Sequence, residues 1–173
     1  MRAGARVRAL GLAFALAFLP SAGARDQPAS TPEWRSFAGT WSASGRRHLV
    51  AVEGGGQAAI VEVEGAVVLA DPGGLSRGFH GQVIGFDDGQ GASIGRCVWT
   101  DESGGRLFSR LRGEPLETGK RFSGTITGGT GRYAALEGEY SFTWQYVVAT
   151  EDGRLQGRAV GLSGRVRRGE SPR

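Results

Sequence analysis

Along most of the chain, large apolar side chains alternate with small or polar ones at every second position, the period of a strand with one buried face. In the clearest case Tyr140, Phe142, Trp144 and Tyr146 share one side, opposite Glu139, Ser141, Thr143 and Gln145. Phe122 to Gly128 repeats the pattern, with Phe122 and Ile126 set against Ser123, Thr125 and Thr127. The alternation predicts strands over about 36–44, 47–53, 57–70, 79–87, 91–101, 106–114, 120–128, 136–150 and 154–167. Between them lie Gly54-Gly55-Gly56, Asp71-Pro72-Gly73-Gly74, Asp87-Asp88-Gly89, Glu102-Ser103-Gly104-Gly105 and Glu151-Asp152-Gly153. Asp-Gly and Gly-Gly accept the left-handed angles of tight hairpin turns. Eight or nine short strands joined this way form an antiparallel meander, and closing the meander leaves no exposed edge. The expected fold is all-β, a single closed antiparallel β-barrel of about eight strands in meander order over residues 36–168.

Residues 121–140 join one strand to the next through a glycine-dense bend. Gly128, Gly129 and Gly131 permit positive φ or close backbone approach there. A phosphate-binding loop would need Gly-Lys-Ser/Thr opening a helix, whereas Arg132-Tyr133-Ala134-Ala135 leads back into alternation. The run from Phe122 to Tyr133, followed by Gly138 and an aromatic strand, resembles the allene oxide cyclase-like and dirigent-like barrel proteins. The resemblance covers about a quarter of the chain after its first 24 residues. It implies an eight-stranded antiparallel barrel in which Gly128, Gly129, Gly131 and Tyr133 form a structural motif. It carries no catalytic residue of the plant cyclases onto a position of this chain, so it implies a fold more than an activity.

A second resemblance, shorter, lies in Phe37-Ala38-Gly39-Thr40-Trp41, similar to the Gly-x-Trp opening of lipocalin-like barrels. It implies that Trp41 plugs the barrel core. An eight-stranded barrel is either filled by side chains or holds one small ligand, and the sequence leaves that open.

The N-terminus adds a destination. Arg2, Arg6 and Arg8 precede a short apolar run from Ala9 to Leu19, and Ala22-Gly23-Ala24 offers small residues for cleavage. This is the pattern of a secretory signal peptide over 1–24. Its apolar run falls short of the roughly 20 residues that span a bilayer. Loss of the leader leaves 18 basic side chains against 17 acidic ones, a net charge of +1 rather than +4. Nucleic acid is therefore not an expected partner. Residues 25–35 read as a flexible lead-in and 169–173 as a disordered tail, beyond the basic group Arg165, Arg167 and Arg168. Abundant Gly, Ala and Arg with no Asn suggests a high-GC bacterial coding sequence. The expected location is periplasmic or extracellular, with no membrane insertion after leader removal; the sequence does not specify an oligomeric state.

Candidate chemistry is sparse. Gly91-Ala92-Ser93-Ile94-Gly95 matches the hydrolase elbow in letters, but that motif needs a helix after the serine and Arg96-Cys97-Val98-Trp99-Thr100 continues as strand. His48, His80 and the lone Cys97 have no metal-ligand spacing, so no metal site and no cofactor is expected. Cys97 and Trp99 share a strand face. If that face points inward, Cys97, Trp99, Tyr140, Trp144 and Tyr146 form an aromatic wall able to contact a ligand. Arg96, Arg110, Arg112, Glu114 and His80 are candidate polar groups at the barrel mouth, solvated unless drawn inward.

Three readings follow. The first is an exported barrel binding a hydrophobic or amphipathic small molecule. The second is a cofactor-free isomerase or cyclase, similar to the allene oxide cyclases, with Glu137, Glu139, His80 or Tyr133 as acid or base. The third is a structural barrel with a filled core.

Overall fold

A computed structural model describes residues 33–169. The expected signal peptide, most of the lead-in and most of the tail lie outside the described residues. Eight strands form one closed antiparallel barrel in sequence order, with β1 pairing both β2 and β8. They are β1 Arg35–Ala51, β2 Gln57–Asp71, β3 Gly78–Asp87, β4 Ser93–Asp101, β5 Arg106–Pro115, β6 Lys120–Gly129, β7 Leu136–Ala149 and β8 Arg154–Arg168. The expected segments 36–44 and 47–53 are one strand, β1. Gly45, taken as part of a break, pairs with Val63 inside that strand, and a Cβ on it would overlap the Glu62 carbonyl oxygen. Glycine permits close strand approach there rather than a turn.

The glycine motif divides its tasks. Thr127 is the extra residue of a bulge, since Phe108 pairs with Gly128 and Ser109 with Ile126. Gly128 holds φ +123° and Gly131 φ +56°, both awkward for any side chain. The chain then closes a short 3₁₀ turn, Gly131–Tyr133, which sends the Tyr133 ring into the barrel. Gly129 lies so close to the Arg106 carbonyl and to Tyr133 that a side chain has no room.

Inward positions alternate bulky side chains with glycine. Tyr140 lies over Gly124, Trp144 over Gly157, Phe122 over Gly113, and Phe37 reaches Gly164. Rings fill the space the glycines leave, which is how an interior this narrow accommodates so many aromatics. Trp99 contacts Phe37, Phe79 and Tyr140 with ring centroids 6.2, 5.7 and 5.1 Å away. Tyr140 continues to Phe142 and Phe142 to Phe122 in stacked geometry. Offset and edge-on arrangements of this kind contribute beyond the area they bury.

Candidate functional site

The two ends of the barrel differ. At the end bearing the 72–77, 102–105 and 130–135 turns, the interior is closed by Phe37, Phe79, Tyr133 and the carboxylate of Asp101, whose side chain is 0% exposed. Asp101 Oδ1 accepts from the Ser103 N–H (2.9 Å), the Ser103 hydroxyl (2.7 Å) and the Gly105 N–H (2.8 Å). Oδ2 accepts from the Tyr133 hydroxyl (2.8 Å) and the Arg132 guanidinium (2.7 Å). The Ser103 hydrogen bonds, with those of Tyr133, Arg132 and Gly105, outweigh burial and hold this carboxyl well below the usual carboxylate range. The cluster ties the glycine-rich turn to the β4–β5 hairpin, and its donors leave little capacity for a ligand.

At the other end, near the 88–92 and 116–119 turns, the interior is not filled. A cavity of about 70 Å³ lies among Trp41, Val63, Leu111, Phe122, Phe142 and Trp144. Its mouth is bordered by Gly85, Asp87, Ser93, Gly95, Lys120 and Tyr146. Gly85 and Gly95 face each other across β3 and β4. A Cβ on Gly95 would have nothing nearer than 3.0 Å, in contrast to the overlap met at the glycines that lie under the Tyr140, Trp144 and Phe122 rings. A space of this size is smaller than the cavity of about 150 Å³ that accepts benzene. It takes a slim apolar group, the remainder of any ligand lying at or beyond the mouth.

The mouth carries the only lysine in the sequence. Lys120 opens β6 pointing inward, with 17% of its side chain exposed, and pairs with Asp87, at 23%. Its ammonium also donates to Ser93 Oγ at 2.8 Å, and Asp87 Oδ1 accepts from the Gly89 N–H at 3.0 Å. Burial pushes the Asp87 carboxyl up, but Lys120, Gly89 and Ser93 together bring it below its ordinary value. Tyr146 is shifted up, first by burial and then by the negative charge of Asp87, with the nearby Arg47 opposing. Arg47 carries a buried Nε without a hydrogen-bond partner. Asp87 is therefore a carboxylate rather than a proton donor. Lys120 donates to Ser93, the reverse of what a base activating a serine must do.

The aromatic wall expected from sequence is split between the two halves. Trp144 and Tyr146 border the cavity, and Trp41 forms part of its wall, with Phe142 and Trp144 at 5.8 and 5.4 Å. Trp41 is thus part of the buried core and also lines this space. Cys97, Trp99 and Tyr140 do not border the cavity; they are packed in the filled half. The Tyr140 hydroxyl and Ser109 Oγ share a hydrogen bond of 2.7 Å. Burial pushes the Cys97 thiol up to about 12 and the Tyr140 phenol well above its ordinary value, so both are neutral.

None of the four expected acid or base candidates faces the cavity. Glu137 and Glu139 pair with Arg167 and Arg165 on the outer surface, and His80 lies outside beside Glu64. Tyr133 belongs to the Asp101 cluster at the closed end. Arg96, Arg110, Arg112 and Glu114 are on the outward side of β4 and β5, because an inward position there alternates with Cys97, Ser109, Leu111 and Gly113. Ser93 starts β4 and no helix follows it. The sequence reading missed Asp87 and Lys120 altogether; the available signal was a lone lysine among many arginines, placed at the start of a strand. Among the described residues, no group of three or more His, Cys, Asp and Glu side chains is placed to hold a metal ion.

No family model matches the sequence, and no curated protein matches it. Among solved structures the chain is similar to a pterocarpan synthase dirigent protein, at 11% identity and a TM-score of 0.43, over 80% of this chain and 94% of that one. A likeness at that level assigns no residue of this chain a role.

Proposed function

We propose that this chain is an exported binding barrel for a small amphipathic molecule, which inserts a slim apolar portion into the open-end cavity and leaves a polar group at the mouth. The observation that carries the reading is the pairing of an apolar, aromatic-walled space with Lys120, Asp87 and Ser93 at its rim. Such convergence of a few polar groups on an apolar pocket is the usual build of a small-molecule site. At the rim itself Lys120 is paired with Asp87, and Arg47, whose buried Nε has no hydrogen-bond partner, adds a second cation beside the pair; this favours an anionic head group over a cationic one at that point, with Asp88 and Glu117 in the turns beyond it. Binding is preferred to isomerisation because the rim holds an ion pair and no group poised to exchange a proton near neutral pH.

Two measurements test this. Native mass spectrometry of the full gene product recovered from expressing cells should show loss of residues 1–24 and a small-molecule mass released on unfolding. Calorimetric titration should then show saturable binding of decanoate, with decyltrimethylammonium at least several-fold weaker. Gly95→Leu, which places a side chain in the cavity, should abolish decanoate binding while the barrel stays folded. Equal binding of both amphiphiles, or decanoate binding unchanged by Gly95→Leu, would remove the reading.

A further inference from the structure

One part of the outward face of β2, β3 and β4 departs from the rule that a water-facing strand surface is polar. Ile60, Phe86 and Ile94 lie in one row across the three strands, and Ile84 is the next outward residue along β3. Their side chains are 48, 46, 58 and 59% exposed respectively. Single exposed apolar residues are ordinary, but four in contact on adjacent strands, forming a shallow groove, are not.

Charge borders this groove on one side. Arg96 pairs across the ladder with Ile84, Arg110 with Arg96, and Arg112 with Ile94. Among the described residues no carboxylate lies within 4.0 Å of any of these three guanidiniums. Arg96 and Arg110 stand directly opposite each other, an arrangement that costs stability unless something negative meets it. On the far side of the groove, Glu62 sits between Arg46 and Ile84 and His48 opposite Ile60. The groove also touches the cavity described above, since Gly85, Phe86, Ile94 and Gly95 border both.

We propose that this face docks on a bilayer surface that contains anionic lipids, with Ile60, Ile84, Phe86 and Ile94 entering the acyl boundary and the three arginines meeting head-group phosphates. Guanidiniums on flexible stems beside an apolar surface suit that boundary, where one zone is apolar and the next carries negative charge. A second copy of the chain suits the face less well, because a two-fold contact would bring the same arginine cluster toward itself. Docking here would present the cavity mouth to the membrane. The docking proposal stands on the outer surface and does not require the cavity to bind anything.

The test uses the buried, unreactive Cys97 as an advantage, since an added cysteine alone takes a label. The full chain carrying Ile84→Cys is labelled with a polarity-sensitive nitrobenzoxadiazole dye, and a second variant carries the dye at Ser141→Cys, outward on β7 across the barrel. Vesicles with about 30% phosphatidylglycerol should blue-shift the dye at position 84 and leave the one at 141 unchanged, and pure phosphatidylcholine should shift neither. Arg96→Gln, Arg110→Gln and Arg112→Gln together should weaken vesicle binding on the order of a hundredfold, taking each basic side chain as worth about five-fold. The N-terminal residues are common to all variants, so any contribution from them cancels. No shift at position 84, an equal shift at 141, or indifference to the arginine substitutions would each overturn the proposal. A shift that grows with protein concentration in the absence of vesicles would overturn it in favour of a second copy. Ile60→Cys repeats the measurement should a dye at position 84 disturb folding.

Discussion

The barrel places an aspartate at the end of each strand of its β3–β4 hairpin, and the two have opposite surroundings. Asp101 ends β4 at the closed end, sealed from water and met by five donors from Ser103, Gly105, Arg132 and Tyr133. Asp87 ends β3 at the open end, partly wet, and holds one lysine beside an unfilled space. The same residue type thus makes a structural lock at one end and a rim group at the other. What separates them is how completely the neighbours saturate the carboxylate.

Asp101→Asn tests that distinction with the largest effect. It removes a negative charge whose partners are buried or hydrogen-bonded and should destabilise the barrel by about 3 kcal/mol. Urea denaturation followed by tryptophan fluorescence measures it directly. The pH dependence should change with it. A folded-state pKa below the unfolded one adds stability at pH values above about 3.9, and that stability is lost as pH falls toward the folded-state value. The native barrel should therefore lose stability steeply on acidification below about pH 4. The Asn variant, having no such group at position 101, should show a shallower loss. Parallel acid profiles for the two proteins would mean that Asp101 is not the lock described here.

The next contrast is between two inward glycines, one under a packed ring and one at the cavity mouth. Gly124 lies under the Tyr140 ring, which is buried and hydrogen-bonded to Ser109 and has nowhere to go. Gly124→Ala should cost about 2 kcal/mol through overpacking. Gly95→Ala at the cavity mouth should cost about 1 kcal/mol or less, since its Cβ would meet the Ile84 carbonyl oxygen at 3.0 Å, the Gly85 Cα at 3.5 Å and the Leu111 Cβ at 3.7 Å, tight contacts without the overlap found at Gly124. If both substitutions cost the same, the halves do not differ in packing and the cavity is not a feature of the folded protein in solution.

Much of this was legible in sequence because strand alternation and turn chemistry are local. The hairpin turns, seven of the eight strands and the bulge-prone Gly128 region follow from residues within a few positions of one another. The split of β1 failed for a reason of the same kind. The pair Gly45-Arg46 looks like an interruption until Glu62 and Val63 are seen to press against the glycine. The inward face of β7 was also readable, but which of its rings would fill the core was not. Tyr140 packs tightly because Gly124 and Gly164 on other strands make room, and Trp144 borders a cavity because Gly85 and Gly95 leave one. The Lys120–Asp87–Ser93 cluster joins residues 33 and 27 positions apart in sequence and exists only once the barrel closes.

At Lys120 a small effect on folding is expected together with a clear effect on ligand binding. Lys120→Met keeps the length of the side chain and removes its charge. The ion pair it breaks is mostly buried but keeps contact with water, so its loss should cost about 1 kcal/mol or somewhat more, still well short of the Asp101→Asn effect. Loss of the cation leaves Asp87 with the Gly89 N–H and access to water, so the orphaned carboxylate is not stranded as Asp101 would be. Urea midpoints for Lys120→Met and the parent should accordingly lie closer together than those for Asp101→Asn and the parent. Decanoate affinity should fall at least ten-fold, because the rim then carries Asp87 facing the incoming carboxylate without its compensating charge. A destabilisation as large as that of Asp101→Asn, with decanoate binding intact, would instead make the open-end pair a second lock and erase the difference between the two ends.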